Sequence, residues 1–283
     1  MIKTQKTKTI LCKPNGRSAD FTSANFILGC QNFVCSYCYV NRFDRKFIYV
    51  NTNTDQILAE CDKAIENSPF PKIPNQVDDK YYFVDISCDT DINRHWYDYN
   101  WFYVFDYFKN HPKLAATFAT KWVNTNLLDY EPLGKIRIRM SLMPNIELFE
   151  KGTSPIINRI KFLEKLFKAG YSTHINLSPI IYKEGWLKDY SELFKMINDN
   201  VSERFKQQCG LECIFLTHNE NLHNKNVAKG LEAETYLWNP DLQVEKTSQY
   251  GGNNVRYKDK YLLVQQFEEL VNKELQIKIR YIF

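Results

Sequence analysis

The 283-residue chain lacks any apolar run long enough to cross a membrane, and its basic first residues are not followed by the apolar segment of a secretory signal. It also lacks repeats and low-complexity linkers, so nothing indicates a fibrous or disordered protein. The net charge is only +4, which is too small to identify a nucleic-acid partner by itself. We therefore expect a cytoplasmic, globular protein with no membrane segment, formed by one large domain or two small ones.

Cysteine is present in an informative pattern. Without a secretory signal, eight cysteines in a chain of this length indicate reduced thiols and a metal site rather than disulfides. Three of them fall within nine positions, namely Cys30, Cys35 and Cys38. Thiolates are soft ligands that select zinc or iron–sulfur clusters. A zinc site would need a remote fourth ligand, such as Cys12, Cys61 or a histidine, whereas a cluster would keep one iron open to a small molecule.

Strand-like and helix-like stretches alternate along most of the chain. Strands are predicted at 81–87, 114–120, 135–142, 171–181 and 211–217, and helices at 54–67, 98–110, 154–169 and 187–207. This alternation is typical of parallel strands joined by helical crossovers, so we predict an α/β fold with an open or closed barrel. In such barrels the chemistry lies at the carboxyl ends of the strands, where Cys88, Lys121 and Ser141 fall.

The last part of the chain is more polar. Residues 219–260 are predicted to form a hairpin or long loop, before a closing helix at 261–275 and a strand at 276–283. Basic residues alternate here with tyrosines: Lys246, Tyr250, Arg256, Tyr257, Lys258, Lys260 and Tyr261. Basic side chains neutralise phosphates and aromatic rings stack on unpaired bases, although a solvated surface hairpin has the same composition. We therefore divide the chain into segments 1–24, 25–218 and 219–283.

The cysteine loop resembles the cluster motif of radical S-adenosylmethionine enzymes. Its Cys-Ser-Tyr-Cys-Tyr sequence is similar to that of the spore photoproduct lyase family. Further segments follow in the family's order, at 85–91, 118–121, 137–142, 149–154, 169–171 and 180–186. The resemblance covers roughly residues 25–220. Two features differ: the first gap of the motif, 31–34, holds four residues instead of three, and the N-terminal segment is short. Because of these differences a second interpretation of the chain stays open, namely an enzyme that modifies or isomerises a nucleobase.

The resemblance implies a partial (β/α)6 barrel with a C-terminal hairpin lid, and light-independent reversal of a thymine–thymine photoproduct in DNA. Cys30, Cys35 and Cys38 would bind a [4Fe–4S] cluster whose fourth iron holds S-adenosylmethionine, the source of a 5′-deoxyadenosyl radical. Cys88 would donate hydrogen to the substrate radical, and Tyr37 and Tyr39 would relay the radical back. For these residues the alternative is ordinary packing, which is common for free cysteine.

The remaining expectations concern cofactor, substrate and partners. Lys121 would pair with the methionyl carboxylate, while Thr90 and Ser141 would contact the cofactor through their hydroxyls. Substrate contacts are predicted at Tyr182, Trp186, Tyr250, Arg256, Tyr257 and Lys258, although a packed Trp186 is equally compatible with the sequence. The enzyme would receive electrons from flavodoxin or ferredoxin and act as a monomer. Cys209, Cys213 and His174 are predicted to be core residues, and the non-enzymatic alternative is a zinc-stabilised nucleic-acid-binding module.

Overall fold

The computed structural model describes residues 1–7, 11–12, 22–30, 35–42, 46–66, 78, 80–247 and 253–283. The strands are β1 (Ile2–Gln5), β2 (Leu11–Cys12), β3 (Thr22–Ala24), β4 (Ile27–Leu28), β5 (Ile48–Asn51), β6 (Tyr82–Asp85), β7 (Leu114–Thr120), β8 (Ile136–Ser141), β9 (Ser172–Ile180), β10 (Gly210–Phe215), β11 (Thr217–Asn219), β12 (Gln243–Thr247), β13 (Asn253–Tyr257) and β14 (Lys278–Ile282). The α-helices are α1 (Thr54–Glu66), α2 (Trp101–Asn110), α3 (Ile146–Phe149), α4 (Ile156–Lys168), α5 (Trp186–Asn198), α6 (Glu203–Gln208), α7 (Glu220–Ala228), α8 (Glu234–Leu237) and α9 (Lys260–Leu270). Short 3-10 turns lie at Tyr39–Arg42, Trp96–Asp98 and Thr125–Asp129, and a π-helical turn at Val271–Leu275 follows α9.

The main sheet confirms the predicted partial barrel. Its strand order is β14-β10-β9-β8-β7-β6-β3-β2, and every neighbouring pair from β3 to β14 is parallel. Only β2 runs antiparallel, at the β3 edge. Because these strands are parallel, their carboxyl ends lie together along one edge of the sheet, which we call the mouth. The loops that follow β6, β7 and β8 therefore start from the same edge.

Strand β8 illustrates how the sequence builds the two faces of the sheet. Ile136, Ile138 and Met140 are fully buried and belong to the hydrophobic core, while the alternate residues are polar. Successive side chains of a strand point to opposite faces, so Arg137, Arg139 and Ser141 share the other face. The parallel register aligns Arg139 with His174 and Ser141 with Asn176. Ser141 thus lies at the mouth, with the arginines progressively further from it.

A group of paired charges lies along this inner face, and we call it the arginine layer. Arg139 contacts both Asp85 on β6 and Glu212 on β10, and Arg137 contacts Asp78 at 3.1 Å. His174 is buried, as predicted, with its Nδ1 3.5 Å from Nη1 of Arg280. The layer consists of Asp78, Asp85, Arg137, Arg139, His174, Glu212 and Arg280.

Several predicted elements differ from the structure. The first strand of the main sheet, β3, has no counterpart among the predicted strands, and the apolar run at 26–28 contributes β4 to a small sheet with β5 and β1. The helix predicted at 187–207 is two helices, α5 and α6, since the Ser202 hydroxyl caps a new helix by accepting from Phe205 N at 3.1 Å. The segment predicted as a hairpin or loop at 219–260 also contains α7 and α8.

The rest of the C-terminal prediction is confirmed. β12 and β13 form an antiparallel hairpin that β11 extends to three strands, and α9 leads through the π-helical turn to β14. β14 pairs in parallel with β10, so the end of the chain completes the main sheet. In the part of the chain that the structure describes, no helix combines the length and apolar character needed to span a bilayer.

Candidate functional site

The cysteine loop is tied at its start to the loop that carries Cys88. Gly29 N donates to Asp89 O at 3.0 Å, and the Thr90 hydroxyl donates to Gly29 O at 3.0 Å. Gly29 has a φ of 104°, a conformation that residues with a Cβ rarely adopt, so glycine is required immediately before Cys30. The loop after β6 therefore fixes the position at which the three-cysteine segment begins. Thr90, predicted to contact a cofactor, makes this protein contact.

The three clustered cysteines are free thiols. Cys35 is buried and Cys30 and Cys38 are partly exposed, while the residues between them at 31–34, including the extra residue of the gap, lie outside the described part. Cys38 N donates to Cys35 O at 3.1 Å, which closes a tight turn between these two residues. Burial, together with the nearby Asp91 and Cys38, raises the pKa of Cys30 to about 12. Burial also raises the pKa of Cys35 well above its usual value, with contributions from Glu150, Cys38 and Cys30.

These mutual effects place the three sulfurs within electrostatic reach of one another. Metal binding requires thiolates, so a metal centre here would displace the protons that burial otherwise retains. Among the described residues, no three His, Cys, Asp or Glu side chains are grouped to hold a single ion. Cys61, a candidate fourth zinc ligand, lies in the core with its Sγ 3.3 Å from Ile57 O. Three cysteine thiolates are soft donors of the kind that hold a [4Fe–4S] cluster, and the residues present fit that group.

Cys88 lies in the loop after β6 and is partly exposed, unlike Cys209 and Cys213, which are buried as predicted. The hydroxyl of Tyr39, the residue after Cys38, donates a hydrogen bond to the carbonyl oxygen of Cys88. The structure thus brings the predicted hydrogen donor and one predicted relay tyrosine into direct contact. This contact also joins the Cys88 loop to the far end of the cysteine loop.

Tyr37, the other relay candidate, is linked to two residues that the sequence analysis missed, directly to Glu150 and through it to Arg159. Its hydroxyl donates to Glu150, which is buried, and the Oε2 of Glu150 accepts from Nη1 of Arg159 at 2.7 Å. Arg159 is fully buried and also donates to Ser141 O at 2.9 Å. A buried charge needs a partner, so this ion pair is a built feature connecting Tyr37 to the end of β8. The only sequence signal was an arginine within the apolar pattern of α4.

Lys121 lies beside the same residues. Its ammonium group is 5.6 Å from the centroid of the Tyr37 ring. Burial alone lowers the pKa of Lys121, but the nearby Cys35, Glu150, Cys38 and Asp91 raise it above its usual value, so Lys121 is a cation. A permanent cation next to the cysteine loop suits the carboxylate of a bound amino acid.

Asp91, a further residue that the sequence analysis did not assign, fixes the backbone of Lys121. Its Oδ2 accepts from Lys121 N at 2.8 Å, and its Oδ1 accepts from the Thr120 hydroxyl at 2.7 Å. The loops that follow β6 and β7 are therefore bonded together. Ser141, the third predicted cofactor contact, is buried at the end of β8, and its hydroxyl accepts from Asn176 Nδ2 at 3.3 Å.

The predicted substrate aromatics are placed in the core. Trp186 is 5% exposed and stacks on Phe267 with ring centroids 5.8 Å apart. Tyr257 is 4% exposed, and its hydroxyl accepts from Tyr182 N at 2.8 Å. The half-buried Tyr182 contacts both rings edge-on. The packing alternative is thus what the structure shows for Trp186, and Tyr257 is likewise a buried ring rather than part of a solvated hairpin surface.

The predicted basic residues of the hairpin are more accessible. Arg256 is half-buried at the centre of the three-stranded sheet, aligned with Thr217 on one side and Val244 on the other. Lys258 is exposed, and its Nζ donates to Asp241 O at 2.9 Å. Tyr250 lies outside the described residues. The structure brings the cysteines, Tyr37, Tyr39, Cys88, Thr90 and Lys121 together, and the hairpin residues form a separate surface.

Comparisons with known proteins agree with this geometry. The model of the family described as spore photoproduct lyase matches residues 4–283. Spore photoproduct lyase from Bacillus subtilis is 28% identical over 214 residues, which cover 73% of this chain and 59% of the relative. The Clostridium acetobutylicum protein of that name is 27% identical over 267 residues, covering 90% of this chain and 73% of the relative.

Solved structures show the same fold. A mutant spore photoproduct lyase with dinucleoside spore photoproduct superimposes with a TM-score of 0.84 at 22% identity, covering 100% of this chain and 82% of the other. A second mutant, with bound AdoMet and the same dinucleoside, gives a TM-score of 0.82 at 22% identity and equal coverage. The family model matches nearly the whole sequence, and the fold and cysteine loop agree with it. The chain therefore belongs to the spore photoproduct lyase family.

Proposed function

We propose that this protein is a radical S-adenosylmethionine lyase that reverses a thymine–thymine photoproduct in DNA. One observation carries the proposal: the partly exposed thiol of Cys88 lies on a loop bonded to both ends of the cysteine loop, through Gly29 and through Tyr39. A hydrogen donor is therefore held beside the candidate cluster site at the mouth. The family's name and the ligands of its solved members support the same reaction.

When bound, the cluster and S-adenosylmethionine supply a carbon radical that removes hydrogen from the substrate. The chain's own part is to finish the reaction. Homolysis of the Cys88 S–H bond transfers one hydrogen atom to the substrate carbon radical, forming a C–H bond and leaving a thiyl radical. Transfer of the Tyr39 phenolic hydrogen to that sulfur restores the thiol and leaves a phenoxyl radical. Tyr37, two residues earlier on the same turn, is the next relay residue.

The other residues position the reactants. Lys121 would hold the methionyl carboxylate, and its cationic state suits that role. Ser141 at the end of β8 and Thr90 in the loop after β6 would complete the cofactor pocket. Arg256 and Lys258 would contact DNA phosphates, with Tyr250 and Tyr182 near the extruded bases and Trp186 and Tyr257 forming the packed wall behind them.

The proposal extends to the cellular setting. We place the enzyme in the cytoplasm as a monomer that is reduced by flavodoxin or ferredoxin. DNA carrying a thymine lesion is the proposed partner, because the solved relatives contain a dinucleoside spore photoproduct.

Anaerobic reconstitution followed by incubation with a reductant, S-adenosylmethionine and ultraviolet-damaged DNA tests this function. We expect a brown iron protein and recovery of thymine without light. If the protein cleaves S-adenosylmethionine in the presence of DNA or RNA and produces an altered base but no thymine, the result would favour the nucleobase-modifying enzyme instead. A colourless protein that takes up zinc but no iron would contradict both enzymatic functions and support the zinc-stabilised nucleic-acid-binding module.

A further inference from the structure

The C-terminal segment contacts the cysteine loop through helix α7. Helix α7 packs against the turn Tyr39–Arg42, directly after Cys38. From this helix the fully buried Asn226 reaches the loop, and its Nδ2 donates to Ser36 O at 2.8 Å. Ser36 lies between the second and third clustered cysteines. A residue 190 positions later in the sequence therefore binds the backbone of the candidate cluster motif.

The same amide group makes a second hydrogen bond. Asn226 Nδ2 also donates to Oε2 of Glu234 at 2.6 Å. The other carboxylate oxygen of Glu234 lies 2.9 Å from His218 Nε2 and 2.6 Å from His223 Nδ1. His223 in turn stacks on Trp238, with ring centroids 4.4 Å apart. A continuous network thus runs from the cysteine loop into the core of the C-terminal segment.

The remaining polar atom of Asn226 shows what this side chain is for. Its Oδ1 is buried and has no hydrogen-bond partner among the described residues, although a buried polar atom without a partner is costly. An apolar side chain would avoid that cost but would leave Ser36 O and Glu234 Oε2 without this donor. What only the amide supplies is the pair of N–H groups directed at Ser36 and Glu234, so those two hydrogen bonds are the reason for an asparagine here.

The opposite side of Ser36 is also held. Both its N–H and its hydroxyl donate to Phe149 O, at 3.0 Å and 3.3 Å. Ser36 is therefore fixed from two directions: Phe149 at the end of α3 holds its N–H and hydroxyl, and Asn226 on α7 holds its carbonyl oxygen. Without Asn226 only the first contact would remain, and the Ser36–Tyr37 peptide group could rotate within the loop that spaces Cys35 and Cys38.

We propose that Asn226 is a positioning residue for the iron–sulfur cluster, acting through the Ser36 carbonyl and oriented by Glu234. The inference rests on the proposed function, because it takes the three cysteines as cluster ligands. Residues that orient metal ligands without touching the metal typically contribute about 10–100-fold to metal affinity. Hydrogen bonds and solvent access near the sulfurs also set cluster properties. The C-terminal segment is then part of the cluster site as well as the carrier of the basic hairpin.

The test compares Asn226→Ala with Gln243→Ala in the full-length reconstituted protein. Gln243 is a matched control, because it is a buried amide of the same segment whose hydrogen bonds, to Leu237 O and from Asn239 N, stay within that segment. Iron loss to a chelator is followed anaerobically, together with the electron paramagnetic resonance spectrum of the reduced cluster. We expect N226A to lose iron about 10–100-fold faster than the wild type with an altered spectrum, and Q243A to match the wild type.

Equal rates in N226A and the wild type would overturn the inference, and so would equal acceleration in both variants, which would indicate general loosening. If N226A does not fold, the Glu234→Gln variant tests the inference instead, because this substitution preserves the size of the side chain while removing the charge that orients Asn226. Iron loss about tenfold faster is then expected, and an unchanged rate overturns the inference. A wild-type chain that takes up no iron would overturn the proposed function as well, so the two failures are distinguishable.

Discussion

The mouth and the arginine layer occupy the same inner face of one parallel sheet, yet their residues make different kinds of contact. In the arginine layer, charged side chains contact each other across an intervening strand, as Arg139 on β8 does with Asp85 on β6 and Glu212 on β10. At the mouth, side chains instead contact loop backbone, as Tyr39 does with Cys88 and Asp91 with Lys121. Contacts between strands stabilise the sheet, whereas contacts to loops fix the positions of reactive groups.

This difference teaches that polarity inside a barrel does not by itself identify a site. The arginine layer contains more charge than the mouth but has its charges balanced locally, which is the arrangement that buried ions require. The mouth contains thiols that burial keeps protonated and that only a metal would ionise. Substitutions at the mouth should therefore remove activity with little loss of stability, and substitutions in the layer should do the reverse.

The largest expected effect is at the cysteines. Replacing Cys30, Cys35 or Cys38 singly with Ala should abolish reductive cleavage of S-adenosylmethionine, because three ligands are the minimum that leaves one open iron. The melting temperature of the apoprotein should change little. Cys213→Ala is the control, since this fully buried thiol lies in the core, and it should lower stability by about 1 kcal/mol while retaining cleavage. Full cleavage in all three mouth variants would contradict the cluster assignment.

Cys88→Ala should have the next largest effect on the mouth side. The variant should bind the cofactor and cleave it, because Cys88 is not a cluster ligand. Product should become aberrant, since without the thiol the substrate radical takes hydrogen or other groups from solvent and buffer. Chromatography of the reaction on ultraviolet-damaged DNA measures the ratio of thymine to other products. Normal product at the normal rate would show that Cys88 is a packing residue.

The sequence predicted the barrel well because buried parallel strands leave recognisable apolar runs. Leu114–Thr120 was predicted at its observed bounds, and Ile136–Ser141 within one residue at each end. Helix α7 was missed because Leu222 and Asn226 are its only described buried residues, which is too few to create helical periodicity. Helical signals in a sequence come from packing, and this helix packs mainly through one leucine and one amide.

The residues of the site likewise divide into those that the sequence reveals and those that it does not. Closely spaced cysteines are visible in a sequence because they are close along the chain. Glu150, Arg159 and Asn226 are not visible, because a charged or amide residue gives no sign of burial until its distant partner is known. Trp186 shows the converse, since the sequence does not reveal whether a ring is covered, and Phe267 covers it only in the folded chain.

Within the arginine layer, Arg139→Met should cause the largest loss of stability. It leaves Asp85 and Glu212 buried without their cation, and breaking a buried pair in this way typically costs about 3–5 kcal/mol. Urea denaturation of the apoprotein measures the free energy of unfolding. The control is Lys188→Met, which removes an exposed pair with Glu192 and should cost less than about 1 kcal/mol. Lost cofactor cleavage in folded R139M would mean that the layer takes part in the reaction.

The smallest predicted effect is a pH dependence of stability that belongs to the layer alone. Burial, together with the positive charges of Arg137, Arg280 and Arg139, lowers the pKa of His174 well below its usual value of 6.5. The folded state therefore keeps the ring neutral, while the unfolded chain binds a proton below about pH 6.5. Because the unfolded state then holds more protons, the free energy of unfolding should fall as pH falls below 6.5, by about 1.4 kcal/mol per pH unit until the folded pKa is reached. His174→Gln, neutral at every pH, should remove this part of the slope in urea denaturation between pH 7.5 and 5.5. Identical slopes in the variant and the wild type would assign the acid sensitivity to another group and show that the arginine layer tolerates a fourth positive charge.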